Sequence, residues 1–188
     1  MLFRSDSLVV GAPLEDSNAT GVNGTQLNNS QSASGAAYVF LRSGVTWAQQ
    51  AYLKPFVPNG LSTTWVGAQF GCSVSMSQGA VVVGAPAEDI GGQYVAGAAY
   101  LFAINGGLWQ IDTRVTASEN VRSNSQFGVS VSISGSSVAI GAWQDTDLSG
   151  QDGAVYVFVK SNGIWSREAY LKPAIRDPDR KSTRLNSS

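Results

Sequence analysis

The chain contains the same stretch of sequence twice. FGCSVSMSQGAVVVGA at 70–85 and FGVSVSISGSSVAIGA at 127–142 are identical at nine of sixteen positions. A second block follows each of them, GAAYLFAINGGLW at 97–109 and GAVYVFVKSNGIW at 153–165, and it also occurs earlier as GAAYVFLRSGVTW at 35–47. Repetition at a fixed spacing indicates that one supersecondary unit has been copied and stacked. We therefore expect three units, the first of which lacks its beginning.

Each unit is predicted to form four antiparallel strands. Apolar and small polar residues alternate through 127–134, which is typical of a strand. The following run, VVVGA or VAIGA, is apolar throughout, as expected for a strand covered on both faces. The third strand, AYVF in the first unit, leads into glycine-containing turns that suit tight hairpins. The repeat tryptophan then begins the fourth strand.

Strands that recur in groups of four predict an all-β fold, namely a partial β-propeller of four-stranded antiparallel blades. At four strands to a blade, the sequence contains about two and a half blades. We expect a partial blade at 6–55 and further blades at 70–115 and 127–173. The sequence AYLKP closes the first unit at 51–55 and the last at 169–173, whereas the middle unit reads IDTRV instead.

The two ends of the chain look foreign to the repeats. The tail DRKSTRLNSS at 179–188 resembles the translation of a sequencing adapter, and so does MLFRS at 1–5. We expect both segments to be artefacts that carry no information about the fold. The natural protein is then expected to be longer at both ends, so that a signal peptide or an anchor could lie outside this sequence.

Charge and composition argue against several functions. The formal net charge is −1, and four of the twelve basic residues fall in the two terminal segments, so the repeats themselves are acidic. A nucleic-acid partner normally needs a clustered basic face, and we expect none. The sequence has no histidine, which excludes histidine-based catalytic triads and histidine zinc sites from this stretch. We expect no catalytic residues and no direct insertion into a membrane.

Two recurring or unusual side chains are expected to serve packing. The single cysteine, Cys72, occupies an apolar position of the alternating strand, so we expect it to be inert and buried. Trp47, Trp109 and Trp165 stand at one position of every unit. Stacking against a ligand is the alternative, but this recurrence favours packing between units.

The repeated residues resemble a known family. Phe70-Gly71 with Gly84-Ala85-Pro86 resembles an FG-GAP repeat, and so does Phe127-Gly128 with Gly141-Ala142-Trp143, where tryptophan replaces the proline. Such repeats occur in integrin α-subunit head domains and in many bacterial secreted proteins, and the GAxYVF signature is most similar to the bacterial subgroup.

The resemblance implies a seven-bladed propeller at the cell surface or outside the cell. It implies a function in adhesion or in binding an extracellular protein or glycan ligand. Two alternatives remain: an accessory propeller of a secreted enzyme whose catalytic domain lies elsewhere, and a structural array in a large surface protein. An incomplete ring leaves blade faces open, so we also expect the fragment to aggregate or to be unstable.

The loops between the second and third strands of the units carry most of the acids. These loops must emerge on the same rim if the units are copies in one orientation. Integrin-type repeats carry calcium loops in this connection, and calcium takes six to eight oxygen ligands. By this resemblance calcium is the expected cofactor, although an acidic rim that only promotes solubility is the alternative. The expected ligands are Asp145, Asp147, Ser149 and Asp152, with Asp16 and Asp89 in the other two loops.

The first of these loops is longer than the others by about a dozen residues and is rich in Asn, Ser and Gly. A long loop on a rigid scaffold often carries recognition. A disordered insertion without a partner is equally compatible with this composition.

Overall fold

The computed structural model describes residues 6–56, 67–117, 121–147, 150–151 and 153–173, with the side chains of 147, 150 and 151 excepted. The segments 1–5 and 179–188, which we expect to be artefacts, lie outside these ranges. The described residues form strands and turns and no helix. The strands are β1 (Ser7–Ala12), β2 (Ala36–Ser43), β3 (Thr46–Leu53), β4 (Ser73–Ser77), β5 (Ala80–Ala85), β6 (Ala98–Asn105), β7 (Leu108–Val115), β8 (Phe127–Ser134), β9 (Ser137–Ala142), β10 (Thr146–Asp147), β11 (Gly150–Gln151), β12 (Ala154–Ser161) and β13 (Ile164–Leu171).

The strands form one antiparallel sheet for each unit of the sequence. The first sheet has the order β1-β2-β3, the second β4-β5-β6-β7 and the third β13-β12-β9-β8, and β10 with β11 makes a short separate ribbon. Neighbouring strands are consecutive apart from this ribbon, as in propeller blades. The prediction of an all-β, partial β-propeller fold is confirmed. Within the described ranges, no helix is long and apolar enough to cross a membrane.

The sheets pack face to face, and each of the two joints has its own apolar core. Val81 and Val83 of β5 belong to a cluster with the first sheet, while Val82 between them belongs to a cluster with the third. All three valines are 0% exposed. The prediction that the VVVGA run is covered on both faces is therefore confirmed for the second sheet.

Glycines allow the closest approach at each joint. A Cβ atom placed on Gly84 would lie 1.9 Å from the carbonyl oxygen of Gly128, and one on Gly11 would lie 1.9 Å from that of Gly71. The Phe-Gly of one unit therefore touches the Gly-Ala-Pro of the unit before it. No residue with a side chain fits at either position, since these neighbours are backbone atoms.

The phenylalanine of each Phe-Gly pair packs within its own sheet. Phe70 meets Tyr100 edge-on with ring centroids 5.3 Å apart, and Phe127 meets Tyr156 at 5.1 Å. All four rings are buried. Edge-to-face contacts of this kind stabilise by about 0.5–1.5 kcal/mol beyond the area they bury.

The glycine of each Phe-Gly pair explains why one expectation is wrong. Gly71 has φ +91°, and β4 begins only at Ser73. Cys72 lies in the turn between them and is exposed, not packed in the strand alternation. In the third sheet Gly128 has the same φ, and the pairing of β8 with β9 shifts between Phe127 and Ser130.

The tryptophans do pack between units where both units are described. Trp109 packs against the core between the first and second sheets. Trp165 packs against the core between the second and third, and its Nε1 donates to Asp112 of β7 at 2.9 Å. Trp47 is 45% exposed because it lies on the outer face of the first sheet.

Candidate functional site

Three connections lie at one end of the sheets and carry the acidic residues. They join β1 to β2, β5 to β6 and β9 to β12, and we call them together the acidic rim. Each starts with the same turn, in which the N–H of an acidic residue donates to an alanine carbonyl three positions earlier. Proline is favoured at the second position of such a turn. The bonds are Glu15 to Ala12 at 3.2 Å, Glu88 to Ala85 at 3.3 Å and Asp145 to Ala142 at 3.1 Å.

In the second sheet this turn directs the carboxylate inward. Glu88 is 1% exposed, and its Oε2 accepts a hydrogen bond from the hydroxyl of Tyr100 at 2.7 Å. Its Oε1 lies 2.6 Å from a guanidinium nitrogen of Arg114 on β7. Burial raises the pKa of Glu88, and the charge of Arg114 opposes that rise. We call such a carboxylate, with its tyrosine and its cation, a carboxylate network.

The first sheet contains an equivalent carboxylate network. Glu15 accepts from the hydroxyl of Tyr52 at 2.8 Å and from the ammonium group of Lys54 at 2.6 Å. Lys54 is 1% exposed, and it also donates to the hydroxyl of Ser34 at 2.7 Å. Burial lowers the pKa of Lys54, and Glu15 opposes that change. A lysine is almost never buried unless it is paired in this way.

The third sheet completes the set with a shorter acid. Asp145 accepts from the hydroxyls of Tyr156 at 2.6 Å and Tyr170 at 2.8 Å. The ammonium nitrogen of Lys172 lies 3.1 Å from its Oδ1. Asp145 is 1% exposed, so its charge is neutralised internally and not presented to solvent.

The middle unit supplies its cation from a different position. Tyr52 pairs across the strands with Tyr38, and Tyr170 pairs with Tyr156, whereas the partner of Tyr100 is Arg114. Arg114 therefore occupies the tyrosine position of AYLKP, and Thr116 occupies the lysine position. The middle unit has lost AYLKP, as the sequence indicates, but it has kept the positive charge beside its buried acid.

Asp16 and Asp89 accept hydrogen bonds from residues whose backbone is strained. Asp16 Oδ1 accepts from the N–H of Ala33 at 2.7 Å, and Asp89 Oδ1 accepts from the N–H of Val95 at 2.8 Å. Ala33 has φ +48° and Val95 has φ +53°. A positive φ is unfavourable for a residue with a Cβ, and most of all for a β-branched one. Each carboxylate thus holds the chain in the bend just before the Gly-Ala of the next strand.

The calcium prediction receives no direct support from this geometry. Asp145 faces tyrosine hydroxyls and a lysine, an environment that does not fit a calcium ligand. Among the described residues, no three Asp, Glu, Cys or His side chains lie close enough to share a metal ion. Ser149, Asp152 and the side chain of Asp147 lie outside the described residues, so calcium in this loop stays a prediction.

The long first loop has defined contacts with the first sheet. Val22 forms a bridge with Leu53 at the outer strand, and Asn23 exchanges two hydrogen bonds with the backbone of Tyr52, at 2.8 and 2.9 Å. Ser17 is fully buried at its base. From this base the segment 25–30 extends as a continuous exposed run. These contacts give the loop an ordered base, and its role in recognition stays a prediction.

This geometry defines a class of protein. It is a repeat protein of stacked blades, in which acidic residues form hydrogen bonds and ion pairs within their own blade. The family model described as FG-GAP repeat matches residues 62–102 and 109–158. The chain is an FG-GAP repeat protein, as its Phe-Gly and Gly-Ala-Pro motifs predict. No curated protein matches the chain. FG-GAP repeats build propeller-type binding domains.

The sequence predicts that the acidic loops share one rim, but it does not reveal the partners of their carboxylates. Asp145 was expected to bind calcium, whereas Glu15, Glu88, Lys54 and Lys172 were not singled out. The recurrence of AYLKP was the available signal, since a lysine repeated directly after the apolar end of a strand indicates a buried ion pair.

We predict that Arg114→Ala lowers the free energy of unfolding by about 3–5 kcal/mol, because Glu88 is left buried without a cation. The matched control is Arg42→Ala, whose partner is Asp6 in an ion pair with side chains 40% and 63% exposed. This control should cost about 1 kcal/mol or less. Urea denaturation at neutral pH measures both, and a small, equal loss in the two variants would contradict the prediction.

A second prediction concerns moving the cation of the second sheet from position 114 to position 116. Arg114→Tyr alone should destabilise the chain as Arg114→Ala does, and adding Thr116→Lys should restore most of the loss by recreating the arrangement of the first and third sheets. The buried Nε of Arg114 has no hydrogen-bond partner among the described atoms. Replacing Arg114 by tyrosine and supplying a lysine at position 116 therefore removes no hydrogen bond at this nitrogen. Thermal unfolding of the single and double variants tests this coupling, and simple additivity would show that the two positions do not form one network.

Proposed function

We propose that this chain belongs to a non-catalytic FG-GAP propeller that works outside the cell or at the cell surface by binding a protein or glycan ligand, as in adhesion. The observation that carries the proposal is the first loop of the acidic rim, which combines an anchored base with an exposed tip. Binding residues are often carried by loops on a rigid scaffold. The known tendency of FG-GAP repeats to occur in extracellular domains supports the location.

The exposed apolar side chains of the rim are the best candidates for contact with a ligand. Leu27 at the tip of the first loop is 94% exposed, and Tyr94 in the second loop is 70% exposed. The loop of Tyr94 is fastened to the following connection, since the N–H of Asn124 donates to its carbonyl at 2.8 Å. Tyrosine presents a large contact area at a low cost in conformational entropy, and it is enriched in binding surfaces.

The internal use of the acids supports a binding role over catalysis. Glycoside hydrolysis, for example, needs two carboxylates directed at a substrate. Glu15, Glu88 and Asp145 instead accept hydrogen bonds from tyrosines and pair with cations of their own sheet. Carboxylates held in this way stabilise the rim. The side chains available to contact a ligand are then the exposed polar and apolar ones at the tips of the loops.

We predict that the chain binds at least one member of an array of glycans and immobilised matrix proteins such as collagen and fibronectin. Leu27→Asp or Tyr94→Asp should weaken that binding at least tenfold, since either places a charge in the contact surface. The control is Val45→Asp, because Val45 is 97% exposed in the β2–β3 turn at the opposite end of the first sheet. No binding, or binding unaffected by the rim variants, would contradict the proposal.

A further inference from the structure

A cleft lies between the outer strands of the first and second sheets. Residues of β2 and β3 form one wall, and the end of β6 with the start of β7 forms the other. Val22 and Asn23 of the first loop line the end toward the acidic rim. The volume of the cleft is about 480 Å³, which falls within the range of roughly 300–1,000 Å³ typical of small-molecule sites.

The corresponding place between the second and third sheets is closed by an ion pair. There Asp112 Oδ2 lies 2.6 Å from the ammonium nitrogen of Lys160, and it accepts a hydrogen bond from the indole N–H of Trp165 at 2.9 Å. The ammonium group of Lys160 also lies over the ring of Trp165, 5.8 Å from its centroid. One aspartate of β7 is thus bonded to both outer strands of the third sheet.

The first joint has other residues at two of these three positions. By alignment of the repeats, Gln50 stands for Asp112, Ile104 for Lys160 and Trp109 for Trp165. Isoleucine cannot form the ion pair. Within the described ranges, neither the side chain of Gln50 nor the indole N–H of Trp109 has a hydrogen-bond partner. The cleft is open because the polar contacts that close the next joint are not made here.

The polar groups of the cleft are neutral, and several of them are unused. The side-chain amide of Gln50 can both donate and accept hydrogen bonds, and the indole of Trp109 can donate one. Asn23 accepts from the N–H of Tyr52 through its Oδ1, which leaves its Nδ2 to donate. None of the described residues that line the cleft is charged.

Apolar side chains form the rest of the lining. Leu41, Ile104 and Leu108 are 42%, 48% and 68% exposed. Trp109 is half-buried, since it packs against the core on one side and lines the cleft on the other. Apolar surface beside a few unpaired polar groups is the usual composition of a ligand site.

This combination of groups selects the chemistry of the ligand. A neutral sugar ring has hydroxyl groups that donate and accept at its edge, and its C–H groups form an apolar face. It therefore suits both the amides and the apolar walls. An anion would be desolvated here without meeting a cation. A purely apolar ligand would leave the amide and indole groups without partners, which is costly.

We propose that the cleft between the first and second sheets is a binding site for a neutral saccharide. The amides of Gln50 and Asn23 bond to its hydroxyl groups, and Trp109 contacts its C–H face. The site is separate from the loop tips that carry Leu27 and Tyr94. It therefore goes beyond the binding proposed for the acidic rim and does not depend on it.

The first test titrates the chain with a panel of neutral disaccharides: cellobiose, maltose, lactose, mannobiose and N,N′-diacetylchitobiose. Isothermal titration should show saturable one-to-one binding of at least one of them, and the anionic disaccharide digalacturonate should not bind. Gln50→Ala should weaken the binding about fivefold or more, because it removes hydrogen bonds to the sugar. The matched control is Gln49→Ala, since Gln49 is also exposed but does not line the cleft, and it should leave the binding unchanged.

A second test closes the cleft without removing side-chain volume. Gln50→Asp combined with Ile104→Lys reproduces the pair that Asp112 and Lys160 form at the next joint. This double variant should unfold at a temperature no lower than the unchanged chain does, and it should bind no disaccharide. Thermal unfolding and the same titration measure both properties, so that loss of the site is distinguished from loss of the fold.

Four results would overturn the proposal. They are no binding of any disaccharide in the panel, equal binding by the Gln50→Ala and Gln49→Ala variants, binding retained by a folded double variant, and binding abolished by Leu27→Asp or Tyr94→Asp. The last result would place the saccharide on the acidic rim. Saccharide binding that survives both rim variants supports the cleft, whatever the rim itself binds.

Discussion

The contact between glycines of successive sheets is the constraint on which the rest of this structure depends. Gly11 meets the backbone of Gly71, and Gly84 meets that of Gly128, at distances that leave no room for a Cβ atom. Because the backbones meet, Val82 of one sheet and Ile140 of the next lie in the same apolar core. The Gly-Ala of one unit and the Phe-Gly of the next are therefore the two halves of one joint.

The carboxylate networks fasten each sheet at the end where the joint is formed. The acid follows the Gly-Ala turn directly, while its cation lies on the outermost strand of the same sheet, as Arg114 does, or directly after it, as Lys54 and Lys172 do. The network therefore ties the start of the rim connection to the strand farthest from the joint. A buried ion pair adds little net stability by comparison with an apolar core. We interpret its value here as positional, because it selects one path for the chain between the second and third strands.

Much of the fold was predictable because the sequence repeats. Three copies in phase reveal the strands, their order and the faces that pack, and Val81, Val82 and Val83 are covered on both sides as expected. The position of Cys72 was predicted wrongly, because alternation was extended through a glycine whose φ of +91° interrupts it. The networks escaped prediction for another reason. Glu88 looks like a surface acid in the sequence, and its partner Arg114 stands where the repeats have tyrosine.

The central claim is that the backbone contact of the glycines holds successive sheets together, and one comparison tests it most directly. A Cβ on Gly84 would meet the backbone of the next sheet, whereas one on the equivalent Gly141 would meet first the hydroxyl of Ser130, 2.3 Å away on a side chain that can rotate. The account predicts that Gly84→Ala lowers the free energy of unfolding by about 3 kcal/mol or more, the upper range for overpacking, while Gly141→Ala costs about 1 kcal/mol or less. Equal losses in urea denaturation would contradict it.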